Sequence, residues 1–248
     1  MKSNSTIITV WVFVSVLSAV VFAQAPATVN WKHLSSMTGD IPKPDLGRQV
    51  ATLIMDIDKD SVNDFVILSY EKMAWFRRSK DGWTRYVVDD GAPGVRMEAG
   101  GDCLDIDGDS DLDILEGAQS KAGEIWWWEN PCPNFSPTTP WKRHQVIAVG
   151  GTHHDQIFGD INGDGNLDIY AGEMHTPGSR DKCRHWVFYG DGKGNFSTQL
   201  LSTGIGSHES KIGDLDGDGD VDILQKDFQN EQRVDVWLNE GISAKKQE

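Results

Sequence analysis

The chain has 248 residues, enough to bury the core of one large domain. Its formal net charge is −15, and no basic stripe runs along the sequence, so its composition argues against a protein that binds nucleic acid or anionic membranes. Cys103, Cys132 and Cys183 cannot all pair within one chain, so a disulfide framework is not expected. We expect free thiols, with a Cys132–Cys183 bridge as the alternative.

The N-terminus has the pattern of an export signal. Lys2 supplies a positive charge, residues 7–21 are apolar, and a small-residue cleavage site ends at Ala23. The alternative is a membrane anchor, but the apolar stretch is short, is interrupted by serines and is not followed by a basic stop. We therefore predict a signal peptide over residues 1–23 and an exported chain over residues 24–248, secreted or periplasmic, with no membrane span.

One acidic loop occurs four times in the sequence, and each copy places a carboxylate or amide oxygen at its first, third, fifth and ninth positions. Alternate residues of a tight loop can point inward and supply the roughly six to eight oxygen ligands that Ca²⁺ requires. A single copy would read equally well as an Asp/Gly turn, but four copies in one register favour up to four Ca²⁺ sites. We number the loops 1 (residues 56–64), 2 (105–113), 3 (160–168) and 4 (214–222). The predicted ligands are Asp56, Asp58, Asp60 and Asp64 in loop 1; Asp105, Asp107, Asp109 and Asp113 in loop 2; Asp160, Asn162, Asp164 and Asp168 in loop 3; and Asp214, Asp216, Asp218 and Asp222 in loop 4.

The sequence around the loops indicates repeated β-sheets. Each loop leads into a short apolar run, such as Phe65–Leu68, so it joins two strands rather than the two helices of an EF-hand. The loops recur roughly every fifty residues, a period typical of four-stranded propeller blades. The predicted units span about residues 50–90, 97–150, 152–203 and 205–241. An aromatic residue marks the third strand of each unit, at Trp75, Trp128, Phe188 and Trp237.

The last unit lacks a fourth strand, and a candidate for it lies near the N-terminus. Residues 31–35, Trp-Lys-His-Leu-Ser, resemble the fourth strand that begins at Trp141. Such a strand would close the ring and remove an exposed sheet edge. We therefore predict an all-β propeller of four blades in a single domain, residues 24–248, closed by residues 31–35. A fragment of a larger propeller is the alternative.

The Asp-x-Asp-Gly-Asp loops, the Asp-Ile-Leu strands and the turn at Trp237–Gly241 resemble FG-GAP/VCBS repeats, which occur in integrin-alpha-type propellers and in exported bacterial proteins. The resemblance covers roughly residues 30–241. It implies that the loop joins the first two strands of a blade and binds Ca²⁺, although Lys59 replaces the usual glycine of loop 1. Members of the family include adhesion modules, lectin-like binders and enzyme domains, so the resemblance does not choose a function.

A second group of polar residues is predicted at the strand ends away from the loops. The first strands of neighbouring blades begin near the central channel, where His and carboxylate side chains can meet. These residues can hydrogen-bond strand ends, bind a ligand, or act as acid and base. The candidate ligand-binding residues are Gln49, Glu98, His154, Asp155, His208 and Glu209, of which His154, His208 and Glu209 are also the candidate catalytic residues.

The sequence thus predicts an exported calcium-binding β-propeller that acts as a binding or scaffold module for a carbohydrate or an extracellular protein. The alternative is an extracellular carbohydrate-active enzyme resembling a polysaccharide lyase, with its His and Glu residues on the face opposite the loops. The sequence contains no nucleophile elbow, phosphate loop or zinc-ligand spacing.

Overall fold

A computed structural model describes residues 29–91, 97, 101–117, 124–147, 153, 155–175, 182–229 and 232–241. The chain divides into two compact units, Met1–His33 and Leu34–Glu248. Of the first unit only residues 29–33 are described, and they form neither helix nor strand. The predicted signal peptide therefore lies outside the described residues. No helix among the described residues is long and apolar enough to cross a membrane.

The second unit contains four antiparallel sheets, each built from strands that are consecutive in the chain. Sheet 1 contains β1 (Gln49–Met55), β2 (Asp64–Ser69), β3 (Met73–Ser79) and β4 (Gly82–Asp89). Sheet 2 contains β5 (Gly101–Leu104), β6 (Asp113–Gly117), β7 (Ile125–Glu129) and β8 (Lys142–Ile147). Sheet 3 contains β9 (Asp155–Gly159), β10 (Asp168–Gly172), β11 (Arg184–Gly190) and β12 (Phe196–Thr203). Sheet 4 contains β13 (Lys211–Gly213), β14 (Asp222–Lys226) and β15 (Val234–Trp237). The all-β class is confirmed, and each loop joins the first two strands of its sheet.

The strand register explains the apolar runs that follow the loops. The residue after the ninth loop position pairs across the sheet with an aromatic residue of the third strand, as Ile114 does with Trp128. The same pairing joins Ile169 to Phe188 and Ile223 to Trp237. In sheet 1 the residue at this position is Phe76, which pairs with Phe65, while Trp75, which lies on the third strand as predicted, pairs with Val66. Consecutive residues of a strand point to opposite faces, so Trp75 and Phe76 lie on opposite faces of sheet 1.

The sheets pack face to face in chain order and enclose three apolar cores. We call the face of a sheet that is turned towards the next sheet in the chain its trailing face, and the opposite face its leading face. Between sheets 1 and 2 the core includes Val66, Trp75, Ile114 and Trp128. Between sheets 2 and 3 it includes Leu115, Trp127, Ile169 and Phe188. Between sheets 3 and 4 it includes Tyr170, Val187 and Ile223, with Trp237 packed against them. Burial on both faces explains the adjacent apolar residues in the second strands of sheets 1, 2 and 3, such as Ile114 and Leu115.

The two ends of this stack differ. The leading face of sheet 1 is covered by the segment that precedes β1, because Leu46 packs on Ala74 and Phe76. The trailing face of sheet 4 is not covered, since Leu224 is 37% and Val236 is 49% exposed. Their counterparts in the other sheets are buried. Sheets 1 and 4 therefore do not pack against each other through these faces, and the predicted ring closure is not seen.

Residues 31–35 do not form the predicted closing strand. They have no regular secondary structure, Trp31 is 90% exposed, and sheet 4 has three strands among the described residues. The chain instead turns directly after this segment. Thr38 Oγ1 donates to the Ser35 carbonyl at 3.1 Å and Ser35 N donates to the Asp40 carboxylate at 3.3 Å. These local hydrogen bonds stabilise a turn. Strand pairing by a segment of only five residues does not outweigh that stabilisation.

Candidate functional site

Backbone hydrogen bonds to the first carboxylate of each loop shape the loop. In loop 4, Asp214 accepts from the N–H groups of Gly217 at 2.6 Å and Gly219 at 3.2 Å. Both glycines have positive φ angles, 85° and 98°, which explains why glycine recurs at these positions. In loop 1 the corresponding Lys59 and Ser61 adopt φ angles of 60° and 68° without this freedom.

The ninth carboxylate is buried and ties the loop to the end of the third strand of its sheet or to the residues directly after it. Asp113 accepts from the N–H groups of Ile106 at 3.0 Å and Asn130 at 2.8 Å. In the other loops this contact to the third strand is made by Asp64 with Arg78 N, by Asp168 with Gly190 N and by Asp222 with Asn239 N. Burial raises the pKa of Asp113 to about 7, although its two backbone hydrogen bonds lower it. Each carboxylate oxygen has a second lone pair, so these bonds do not prevent it from binding a cation.

Carboxylate oxygens converge in three of the loops. Within each of these three groups, one oxygen atom from every residue lies within 4.8 Å of those from the others. The groups are Asp56, Asp58 and Asp60; Asp105, Asp107 and Asp113; and Asp214, Asp216 and Asp218. In loop 3, Asn162 supplies an amide instead, and its Nδ2 donates to Asp164 Oδ2 at 3.1 Å. A set of hard oxygen ligands at this spacing fits Ca²⁺, and an ion there would offset the repulsion among the carboxylates.

Loop 1 differs from the others in its electrostatics. Its third-position carboxylate, Asp58, forms an ion pair with Arg77 Nε from the third strand of the same sheet. The Asp58 side chain is only 2% exposed, whereas the Arg77 side chain is 39% exposed, so water screens this pair in part. The strand register makes Glu129 of sheet 2 and Tyr189 of sheet 3 the residues equivalent to Arg77. Loop 1 therefore has an internal positive charge that those loops do not have at this position.

The structure brings together two of the predicted ligand-binding residues. Asp155 and Glu209 line a cavity of about 380 Å³ at the starts of β5, β9 and β13, together with Asp102 and Lys211.

Two further predicted ligand-binding residues, Gln49 and His208, are not among the residues that line this cavity. Gln49 is an exposed residue at the start of β1, and it is not part of that lining. His208 packs its ring on Phe228, with 4.8 Å between centroids, and its Nδ1 lies 3.2 Å from Lys226 Nζ. Glu98 and His154 lie outside the described residues, so the contact of His154 with His208 stays a prediction.

Asp155 also belongs to a buried polar network that the sequence analysis did not identify. Its carboxylate accepts from Ser207 Oγ at 2.5 Å and from Ser210 N at 2.8 Å. Tyr170 OH lies 3.3 Å from Ser207 Oγ and 2.8 Å from His185 Nδ1. This network links sheet 3 to the segment that leads into sheet 4, so Asp155 has a structural role there. The motif Ser207-x-x-Ser210 just before β13 is the sequence signal that was available.

His185 is held neutral within this network. Its Nε2 lies 2.9 Å from the carbonyl oxygen of Ile205, which can only accept a hydrogen bond. Nε2 therefore carries the hydrogen, and Nδ1 accepts a hydrogen bond from Tyr170 OH. Burial lowers the pKa of His185, because a charged imidazolium would lose its hydration there. Outside the network, the three cysteines are free thiols, and burial raises the pKa of Cys103 to about 12.

Comparison with known protein families agrees with the repeat pattern. The sequence model of the FG-GAP-like repeat matches residues 105–171 and 160–224. A D-amino-acid oxidase of Streptomyces coelicolor is 30% identical over 101 residues, which cover 36% of this chain and 30% of that protein. Among solved structures, the V. cholerae biofilm matrix protein Bap1 matches with a TM-score of 0.42 and 16% identity, over 71% of this chain and 23% of that one. The chain thus spans less than a third of the length of either protein.

Proposed function

This chain carries FG-GAP-like repeats, and we propose that it is an exported calcium-binding module that binds a carbohydrate or an extracellular protein. The observation that carries the proposal is the convergence of carboxylate oxygens within 4.8 Å in loops 1, 2 and 4. Such groups repel one another when ionised, and a bound Ca²⁺ removes this repulsion. The apolar stretch over residues 7–21 with its cleavage site supports export.

Calcium has a scaffolding role in this proposal. Each loop joins the first and second strands of a sheet, and its ninth carboxylate reaches the third strand. An ion held by the first, third and fifth positions would therefore fix three strands relative to one another. Because the ion binds the folded chain and not the unfolded one, it stabilises the fold by mass action.

The cavity lined by Asp155 and Glu209 is the proposed ligand site. Five residues of strand separate Asp155 from loop 3, which corresponds to roughly 16 Å, so a ligand there does not touch the ion. Glu209 and Lys211 offer an acceptor and a donor beside the apolar Phe158. This combination suits a polar ligand such as a sugar or a peptide.

Calcium titration of the chelator-treated chain by calorimetry tests the proposal. We expect saturable Ca²⁺ binding at more than one site per chain and much weaker binding of Mg²⁺, which demands octahedral geometry. A titration without binding heat, together with an unchanged melting temperature, would contradict it. For the ligand site, Glu209→Gln combined with Lys211→Gln should lower binding on a glycan or protein array, whereas Asp81→Asn in an exposed turn should not.

A further inference from the structure

The open edge of sheet 4 is the starting point for an inference about the partner. In sheets 1 to 3 a fourth strand pairs with the third strand. In sheet 4 the third strand is β15, and none of the described residues pairs with its outer edge. A sheet edge of this kind presents backbone N–H and C=O groups that can pair with another strand.

In the neighbouring sheets, aromatic side chains next to the fourth strand fill the space between sheets. Trp141 precedes β8 and, with Phe135, packs on Trp75 of the preceding sheet, at centroid distances of 6.4 Å and 4.8 Å. Trp141 N also donates to the Val88 carbonyl at 2.9 Å. Phe196, the first residue of β12, packs into the core between sheets 2 and 3.

The corresponding place between sheets 3 and 4 is an open cavity of about 510 Å³. This volume lies within the range of roughly 300–1,000 Å³ that is usual for ligand pockets. At its polar edge Tyr189 OH donates to Gln199 Oε1 at 2.7 Å, and Asn239 also contributes to the lining. Its apolar lining includes Ile161, Val187, Leu201, Val221, Ile223 and Trp237.

We propose that an extended segment of a partner protein binds here, adding a strand antiparallel to β15 and placing a Trp or Phe side chain in this cavity. This inference rests on the proposed binding function and names the class of partner. The internal repeats support it, because an aromatic side chain followed by an antiparallel strand covers the equivalent positions of sheets 2 and 3. Backbone pairing supplies affinity in such strand addition, and the aromatic pocket supplies specificity.

The repeats also give the register of the added strand. Phe196 pairs with Gly190, whose N–H donates to the ninth carboxylate of loop 3. Asn239 makes the same contact with loop 4. The aromatic residue of the partner is therefore placed opposite Asn239, and the residues that follow it pair with β15.

A peptide with the sequence of residues 194–203, GNFSTQLLST, is a suitable probe because it has an aromatic residue before a strand and no charged side chain. Attraction to the acidic chain therefore cannot explain its binding. We expect the labelled peptide to bind the full chain in calcium, measured by fluorescence anisotropy. Replacing its Phe by Ser should weaken binding about tenfold or more, because a buried aromatic contact is lost.

Two adjacent leucines of β12 provide a matched pair of variants. Leu201 lines the cavity, whereas Leu200 is 46% exposed and is not among its lining residues. Leu201→Lys should weaken peptide binding about tenfold or more, and Leu200→Lys should leave it unchanged. Amide hydrogen exchange of the wild-type chain adds a readout that needs no variant, since strand addition should slow exchange in Val234–Trp237.

Binding that depends on the Phe and on Leu201, with slower exchange in β15, would support the inference. No binding to the folded chain would overturn it, as would binding that ignores both the Phe→Ser change and Leu201→Lys. If Leu201→Lys does not fold, the hydrogen exchange and the peptide comparison on the wild-type chain decide. Calcium binding is measured separately, so a chain that binds Ca²⁺ but not the peptide contradicts this inference alone.

Discussion

The side-chain amide of Asn130 donates a hydrogen bond to the backbone carbonyl of Ile57 at 3.1 Å, and this bond joins sheet 2 to loop 1. Asn239 makes the same bond to Ile161 at 2.9 Å and joins sheet 4 to loop 3. The second position of each of these loops therefore has two roles. Its apolar side chain enters the core between two sheets, and its carbonyl anchors the next sheet.

The first prediction concerns this anchor. Asn130 also donates to the Leu112 carbonyl at 3.1 Å, so Asn130→Ala leaves two backbone acceptors without this partner. We expect the free energy of unfolding to fall by about 1–3 kcal/mol. Asn195 bonds only within an exposed turn, and Asn195→Ala should cost about 0.5 kcal/mol or less. Denaturant unfolding in excess calcium measures both, and equal costs would argue against the anchor.

The second prediction concerns removal of calcium. Without the ion, the converging carboxylates repel one another and the loops lose the stabilisation that binding gives. Chelation should lower the melting temperature by about 5–10 °C, which corresponds to an ion present at about one hundred times its dissociation constant. Scanning calorimetry measures the shift, and added Ca²⁺ should reverse it. An unchanged melting temperature after verified metal removal would exclude a stabilising role for calcium.

A matched pair of aspartates separates one calcium site from general charge effects. Asp216 belongs to the converging group of loop 4, so Asp216→Ala should reduce the calcium-induced rise in melting temperature. Asp81→Ala removes the same charge from an exposed turn and should retain the full rise. Asp235 is a poorer control, because it accepts hydrogen bonds from Gln225 and Arg233. A similar loss in both variants would point to net charge rather than to loop 4.

The third prediction concerns loop 1. The Arg77 guanidinium forms an ion pair with Asp58 and competes with a cation for this carboxylate, so loop 1 should bind Ca²⁺ most weakly. Arg77→Gln removes this competing charge and should raise the affinity of loop 1 about tenfold or more. Arg78→Gln is the control, since that guanidinium lies over the Trp83 ring, 4.9 Å from its centroid. Calorimetric titration should show tighter binding in the first variant only, and identical isotherms would disprove the competition.

The sequence was sufficient for the features that depend on local chemistry. The loops follow from Asp and Gly at fixed positions, and the second strands follow from apolar runs such as Ile114–Leu115. It was insufficient where distant residues decide the outcome. Trp75 and Phe76 are adjacent aromatic residues, and only the strand register shows which of them lies on the leading face of sheet 1. The contact between Tyr170 and His185 requires the pairing of two strands that the sequence does not specify.

The predicted ring closure is not confirmed, and the sequence leaves open whether the candidate strand is buried. Residues 31–35 resemble the strand after Trp141 in sequence only. A short segment gains little stability from strand pairing unless its side chains are also buried. In sheet 2, Trp141 is buried against Trp75. Trp31 has no such burial. A pattern in the sequence identifies a candidate strand, but the packing surface decides whether it forms.

The last prediction concerns the pH dependence that His185 gives the fold. Its ring nitrogens contact Tyr170 OH and the Ile205 carbonyl. Burial lowers its pKa below the ordinary value of 6.5, while the hydrogen bond to Ile205 and the charges of Asp155, Asp235 and Glu173 oppose this effect. The folded state therefore favours the neutral ring, whereas the unfolded chain takes up a proton near the ordinary value. The stabilisation is present above about pH 6.5 and is lost as the pH falls towards the folded-state pKa.

We therefore expect the free energy of unfolding in saturating calcium to fall between about pH 7.5 and about pH 5.5. His185→Gln keeps a donor for the Ile205 carbonyl but cannot be protonated, so it should lower stability at the higher pH and reduce the slope between the two pH values. His33→Gln changes an exposed histidine and should leave the slope as in the wild type. Denaturant unfolding at both pH values measures the slopes. A slope that His185→Gln does not change would show that other groups cause the pH dependence.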